Sequence, residues 1–208
     1  MKGKKLIAIL AAAVLTVAAA GAAVAQTINP NPGKIDINDL AGRNIIANID
    51  YKGDSKATLT LLEYEQFDAE AIKAVQVGDV IRSEGQEIKV ESLKWDGPDL
   101  FINQGTPEEA LLCETGNGVF ERIMEDDRVP KLVIGTKDWE ILPYVVMLDW
   151  VDPVSGEILE DVALRSGDEL VALLEKGDGP SFAVENVKIL FDDNGQPVLA
   201  WRYYSPAQ

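Results

Sequence analysis

Turn-forming residues cut this chain into pieces suited to short strands and brief helices. Lys52-Gly-Asp-Ser55, Ser83-Glu-Gly-Gln86, Asp96-Gly-Pro-Asp99, Thr115-Gly-Asn-Gly118 and Asp192-Asp-Asn-Gly195 recur along it. Gly, Asn and Asp supply the positive φ that tight hairpins require, and Pro presets the φ of a turn. Asn44–Tyr51 and Lys56–Tyr64 are therefore expected to pair across the first turn. Val77–Arg82 and Glu87–Trp95 should pair across the second, the latter with Ile88, Val90, Leu93 and Trp95 as its apolar positions after one break in alternation. Further strands are expected at Leu100–Asn103, Ala110–Glu114, Val119–Glu125, Lys131–Gly135, Glu140–Leu148 and Ile158–Leu164. A closing hairpin, Ser181–Phe191 with Pro197–Tyr204, turns at Asn194-Gly195, the strongest hairpin signal in the chain.

Two short helices interrupt the strands. Asp68 is placed to cap Ala69–Val75, and Ser166 with Glu169 forms a capping box that opens a helix through Leu170, Val171, Leu173 and Leu174, ended by Gly177. Thr106-Pro-Glu-Glu109 has helix-start chemistry, but the apolar run behind it is too short, so a strand is expected there. The fold class that follows is mainly β (β-rich α+β): antiparallel hairpins forming one or two small barrel- or sandwich-like units with two short helices. Residues 38–208 read as this mainly-β domain, with a division into two subdomains near 104–106 left open. Each helix is followed by Gly-Asp and a hairpin, so the alternative that two halves repeat one small unit also stays open.

The N-terminus carries different information. Lys2, Lys4 and Lys5 precede the apolar stretch Leu6–Ala20, and Ala23-Val24-Ala25 matches an A-x-A cleavage site. Residues 1–25 are thus expected to be a signal peptide, and 26–37, with TINPNPGK at 27–34, an extended linker. Ten of the twenty residues from Leu6 to Ala25 are alanine, a weak driver of membrane insertion, so cleavage is favoured over an anchor. No membrane association is expected after cleavage, and the expected location is secreted, outside the cell, by the general secretory route. Gly33–Leu40 superficially resembles the end of an EF-hand loop, but Ile28, Pro30 and Pro32 occupy the early ligand positions and offer no carboxylate.

Composition then excludes chemistry. The chain has no histidine, which removes Ser-His-Asp and Cys-His catalysis and His-based zinc sites. Its net charge of -16 becomes -19 once three lysines and no acids leave with residues 1–25. Such a charge argues against nucleic acid and anionic lipid, which both need Lys and Arg on the protein. The single Cys113 cannot form an internal disulfide, and its apolar Ala-Leu-Leu-Cys setting reads as packing.

The run Phe67-Asp-Ala-Glu-Ala-Ile-Lys-Ala-Val-Gln-Val-Gly-Asp-Val-Ile81, with Ile88-Lys-Val-Glu-Ser-Leu93 and the ending Phe191-Asp-Asp-Asn-Gly through Trp201-Arg-Tyr-Tyr-Ser-Pro206, resembles a family of uncharacterised secreted proteins of gut-dwelling Firmicutes. The resemblance covers about half of the mature chain and consists of turn and strand patterns. It implies an exported β-rich protein and supplies no activity and no site.

Without histidine, paired carboxylates are the one catalytic theme left open, as in glycoside hydrolysis. Glu63/Glu65, Glu108/Glu109, Asp126/Asp127 and Asp192/Asp193 are such pairs, but 35 acids make pairs frequent by chance. Asp192–Gly195 and Asp149–Glu157 contain oxygen ligands suited to Ca²⁺, yet Asp and Asn serve turns equally well. No catalytic residue, metal ligand or cofactor is therefore assigned. Trp95, Trp139, Trp150 and Trp201 are candidate stacking platforms for sugar rings. Trp201 and Tyr203 share one strand face and Arg202 and Tyr204 the other, and one of those faces must pack inward. Trp95 and Trp150 abut acidic turns and are the expected ligand-binding residues. The functional expectation is an exported, non-enzymatic binding or interaction protein of the bacterial cell exterior, its partner an unknown glycan or surface protein. The alternatives are a carboxylate-dependent hydrolase acting on glycans and a passive acidic envelope protein.

Overall fold

A computed structural model describes residues 25–31, 35–116, 118–176 and 187–203. The expected signal peptide, apart from Ala25, lies outside these residues, as do Gly177 and the first part of the closing hairpin. The chain is mainly β, and among the described residues it has two short helices and three sheets, none of them a closed barrel. In chain order it runs β1 (Thr27–Ile28), β2 (Asn44–Gly53), β3 (Lys56–Tyr64), β4 (Phe67–Asp68), α1 (Ala69–Lys73), β5 (Val80–Ser83), β6 (Gln86–Lys89), β7 (Leu93–Asp96) and β8 (Asp99–Ile102). There follow β9 (Ala110–Thr115), β10 (Val119–Ile123), β11 (Lys131–Glu140), β12 (Val146–Val151), β13 (Ile158–Ser166), α2 (Gly167–Glu175), β14 (Val187–Phe191) and β15 (Pro197–Arg202). Among the described residues no helix is long and apolar enough to cross a membrane.

A seven-stranded sheet, ordered β11-β3-β2-β14-β15-β12-β13, forms the larger layer; its pairs are antiparallel except β12 with β15. One face packs on α2 through Leu170 and Leu174 around Ile45, Leu59, Leu61, Met147, Ile189 and Ala200. A second core, built on Phe67, Ile72, Ile81, Leu100, Leu112 and Phe120, is enclosed by α1 and two small sheets, β1-β5-β6 and β4-β10-β9-β8-β7. The chain leaves the large sheet after Tyr64 and re-enters it at Lys131, so every strand of the second core except the N-terminal β1 is inserted between β3 and β11. At the neck of this insertion, Glu65 N–H donates to Pro130 O at 2.8 Å. Residues 104–106 lie in the turn between β8 and β9, which pair with each other and share one core.

The hairpins follow their turn residues. Asp54 and Ser55 both take positive φ (50° and 57°), as do Glu84 and Gly85 (54° and 73°), the requirement of a type I′ turn. At Asn194-Gly195 only Gly195 takes the left-handed region (φ +68°), and its N–H donates to Asp192 O at 2.9 Å. Asp68 caps α1 by accepting from Ala71 N–H, and Ser166 and Glu169 form the expected capping box of α2. The two helix–hairpin stretches occupy different surroundings. α1 and the β5–β6 hairpin serve the small core, whereas α2 and the β14–β15 hairpin serve the large one.

Two expectations are corrected. Glu87–Trp95 is not one strand: β6 and β7 belong to different sheets. Asn103, 1% exposed, accepts from the N–H groups of Glu91 (2.8 Å) and Ser92 (3.1 Å) and donates to Lys89 O (2.7 Å). Backbone groups held by this side chain form a corner where the sequence alternation breaks. Glu140–Leu148 is likewise divided. Val145 N–H closes a turn on Leu142 O (2.9 Å), and Trp139, Ile141 and Val145 enter the large core. The first residue of α2 packs against this turn so closely that a Cβ on Gly167 would lie 2.0 Å from Leu142 O. Within the expected extended linker, residues 26–31 dock on the small core. Ile28 is in the small core, Gln26 N–H donates to Asp79 (2.8 Å), and Asn31 N–H to Gln66 O (2.6 Å).

Candidate functional site

The two tryptophans singled out in the sequence stand on different sheets. Trp95, on β7, is 44% exposed, and its ring meets that of Phe120 edge-on at 6.0 Å and 73°. Phe120 is fully buried, so Trp95 gives part of its ring to the small core and the rest to solvent. Trp150, on β12, is half-buried, and its surroundings are built by strand alternation. Met147, Asp149 and Val151 turn inward on β12, which places Val146, Leu148 and Trp150 on the outward face. On β15, Ala200 and Arg202 turn inward; Leu199 and Trp201, and then Tyr203 just beyond the strand, turn outward.

Register brings these outward residues together. β12 and β15 run parallel with Leu148 opposite Trp201 and Asp149 opposite Arg202, so alternation puts Trp150 and Tyr203, the next outward residue of each segment, on the same face as Trp201. On the other side of β15, Lys188 of β14 is opposite Trp201, and its Nζ lies 5.4 Å from the Tyr203 ring centroid. Across β12, Leu148 is opposite Leu164 of β13, which is 71% exposed. The outcome is an apolar, aromatic surface on the sheet face opposite α2, carrying Trp150, Trp201 (37% exposed) and Tyr203. Trp139 takes no part, being buried in the large core.

What holds those rings outward is a buried ion cluster that the sequence reading did not identify. Arg202, 1% exposed, binds the fully buried Asp149 through two bonds, Nε to Oδ1 and Nη2 to Oδ2, each 2.7 Å. Nη2 also donates to Val151 O at 3.0 Å. Asp149 further accepts from Arg165 Nε (2.7 Å) and Val151 N–H (3.1 Å). Between the two strand faces weighed in the sequence, the inward one carries Arg202 and the outward one Trp201 and Tyr203; Tyr204 lies outside the described residues. The signal was present in the Asp149 side chain, but its meaning depended on a register between segments 53 residues apart.

A second feature lies where the two cores meet. A cavity of about 510 Å³ is walled by Pro30, Ile35 and Leu132–Ile134 of β11, with Glu65 and Ser83 at its polar end. Glu65 is 1% exposed. Its Oε2 accepts from Ser83 Oγ at 2.6 Å and its Oε1 from Glu84 N–H at 2.7 Å. Arg82 also lines the cavity, but its guanidinium is held by Glu87 through Nη2 at 2.6 Å and Nε at 3.0 Å.

The remaining candidates serve the fold. Asp192 accepts from the N–H groups of Asn194 and Gln196, and Asp152 from those of Val154 and Ser155. Those backbone bonds hold both carboxyls below the usual range. Among the described residues no three Asp, Glu or Cys side chains converge in a metal-binding group. Cys113 is half-buried on β9, and partial burial and a hydrogen bond to Asp99 push its thiol up to about 11, so it is a neutral thiol at physiological pH. No family model, curated protein or solved structure matches the chain.

Proposed function

We propose that the chain is an exported, non-enzymatic binding protein of the bacterial cell exterior, and that it holds a neutral glycan on the outward face of the large sheet. The observation that carries this reading is the placing of Trp150, Trp201 and Tyr203 together on one face of adjoining strands, with α2 on the other. Aromatic rings offer broad apolar faces on which the apolar faces of sugar rings stack, and their polar edges suit a wet site. A rigid sheet holds such rings in place before the ligand arrives, which lowers the ordering cost of binding. The net charge of -16 favours a ligand without phosphate or carboxylate. The basic, apolar and A-x-A segments of residues 1–25 support export, as does the resemblance to secreted proteins.

The test is retention of the purified protein on a panel of immobilised neutral polysaccharides, followed by titration with the best of them. Trp150→Ala and Trp201→Ala should each weaken binding about tenfold, or roughly 1.4 kcal/mol, with melting temperature little changed. Binding that is indifferent to both substitutions, or no retention on any polysaccharide, overturns the reading. The export half is tested by sequencing the N-terminus of the protein released by its host, where Gln26 is expected first.

A further inference from the structure

We propose that the cavity between the two cores is a second binding site, and that it takes an aliphatic ammonium group: an alkyl body between Ile35 and β11 with its cationic head on Glu65. This site is separate from the aromatic face, and the inference goes beyond the glycan reading.

Three observations carry it. First, Glu65 is a carboxylate removed from water, at 1% exposure, and among the described residues no basic side chain is paired with it. Two nearby guanidinium groups are engaged elsewhere, Arg82 with Glu87 and Arg128 with Glu84 (2.9 Å) and Asp126 (3.4 Å). Glu65 and these two ion-pair networks together hold four carboxylates against two guanidinium groups, a local excess of negative charge that favours a cation.

Second, the two donors on Glu65 leave acceptor capacity unused. A carboxylate has about four lone-pair positions, and Ser83 Oγ and Glu84 N–H occupy two of them. Those donors also fix the carboxylate's orientation. An ammonium group has three donors and no acceptor, which suits the remaining positions.

Third, beyond Glu65, Asn29, Arg82, Ser83 and Gly85 the wall is apolar. Pro30, Ile35, Leu132, Val133 and Ile134 line a space of about 510 Å³, within the range of small-molecule sites. An apolar wall with one charged end fits a ligand built the same way. A lysine side chain of a partner protein and a free alkylamine share this chemistry.

Calorimetric titration of the intact chain at neutral pH with n-hexylamine, and with n-hexanol as its uncharged counterpart, tests the site. Hexylamine should bind one to one, and hexanol at least about tenfold more weakly, as expected for a charge-assisted hydrogen bond. Glu65→Gln keeps an acceptor for Glu84 N–H and a partner for Ser83 while removing the charge, and should weaken hexylamine by a similar factor. If that variant does not fold, Val133→Trp, at a position 65% exposed, should obstruct the cavity and weaken binding at least tenfold. A lysine-containing tripeptide in a further titration separates the sources: tighter binding than hexylamine points to a protein side chain, weaker binding to a free amine. Equal binding of amine and alcohol, wild-type affinity in Glu65→Gln, or no hexylamine binding at about 10 mM overturns the proposal. Trp201→Ala should bind hexylamine normally, so failure of the glycan reading and failure of this one are told apart.

Discussion

Arg202 on β15 and Asp149 on β12 face each other in parallel register and are joined by two 2.7 Å bonds inside the large core. A charged pair at this depth does little for net stability compared with well-packed apolar residues, but breaking it from one side leaves an uncompensated charge. The two partners are not equivalent. Asp149 would keep Arg165 and Val151 N–H if Arg202 were lost, whereas loss of the Asp149 charge takes a carboxylate from both Arg165 and Arg202 at once.

Asp149→Asn is therefore expected to cost about 3–5 kcal/mol in urea unfolding, and Arg202→Met distinctly less. The register of β12 against β15 should loosen in both, with a shift in the fluorescence of Trp150 and Trp201. An Asp149→Asn protein within about 1 kcal/mol of wild type would show that the cluster does not fix this register.

The corner between β6 and β7 gives a second prediction. Asn103 makes three side-chain hydrogen bonds there from a backbone with φ of 53°. Asn103→Ala removes the bonds and puts a less suitable residue in the left-handed region, for a loss of about 2–4 kcal/mol. Asn103→Gly also loses the bonds but relieves the conformation, so it should be the milder change by denaturant midpoint. The reverse order would mean that backbone conformation plays no part in the corner.

Acid should destabilise the protein in a defined window. The Asp152, Asp192 and Glu169 carboxyls lie below their usual range, held there first by the backbone N–H groups of Ser155, Gln196 and Ser166 respectively. A group with a depressed folded-state value contributes stability that is fully present above its unfolded value and lost as pH falls through the folded one. The ordinary values are 3.8 for Asp and 4.5 for Glu, so the loss belongs below about pH 4.5. With no histidine in the chain, stability should change little between about pH 5.5 and 7.5. Asp192→Asn should flatten the acid limb of a stability–pH curve, and an unchanged limb would count against Asp192 as a contributor.

Cys113 should be a sluggish thiol. With its value pushed up to about 11 from 9.0, the thiolate fraction at pH 8 falls about a hundredfold. The higher basicity of the thiolate restores roughly tenfold in reactivity. Alkylation by iodoacetamide should thus run about tenfold slower than for a free cysteine peptide, and faster in Asp99→Ala. Reaction at the peptide rate would mean that the thiol is not held by Asp99 and burial.

Local chemistry made much of the fold legible. The turns at Asp54-Ser55 and Glu84-Gly85 need residues that tolerate positive φ, and the caps at Asp68 and Ser166 satisfy orphan N–H groups within three residues of themselves. Because each interaction closes within a few positions, the residues alone determined hairpins, helix starts and the mainly-β class. The corner at Glu91–Ser92 was hidden because its cause, Asn103, lies more than ten residues away.

The candidate sites lay further from reach. Trp150 was visible as an aromatic beside an acidic turn, but its neighbours Trp201 and Tyr203 came with the parallel pairing of β12 and β15. Alternation alone allowed either face of β15 to be buried, and hydropathy would have chosen Trp201. The buried carboxylate of Asp149 reversed that choice, since it satisfies the Arg202 guanidinium inside the core. Glu65 likewise became a buried acid only when the insertion between β3 and β11 folded Ser83 and Glu84 over it. Sequence determined which backbone conformations were cheap. Tertiary structure decided which side chains lost their water, because that depends on what distant segments place beside them.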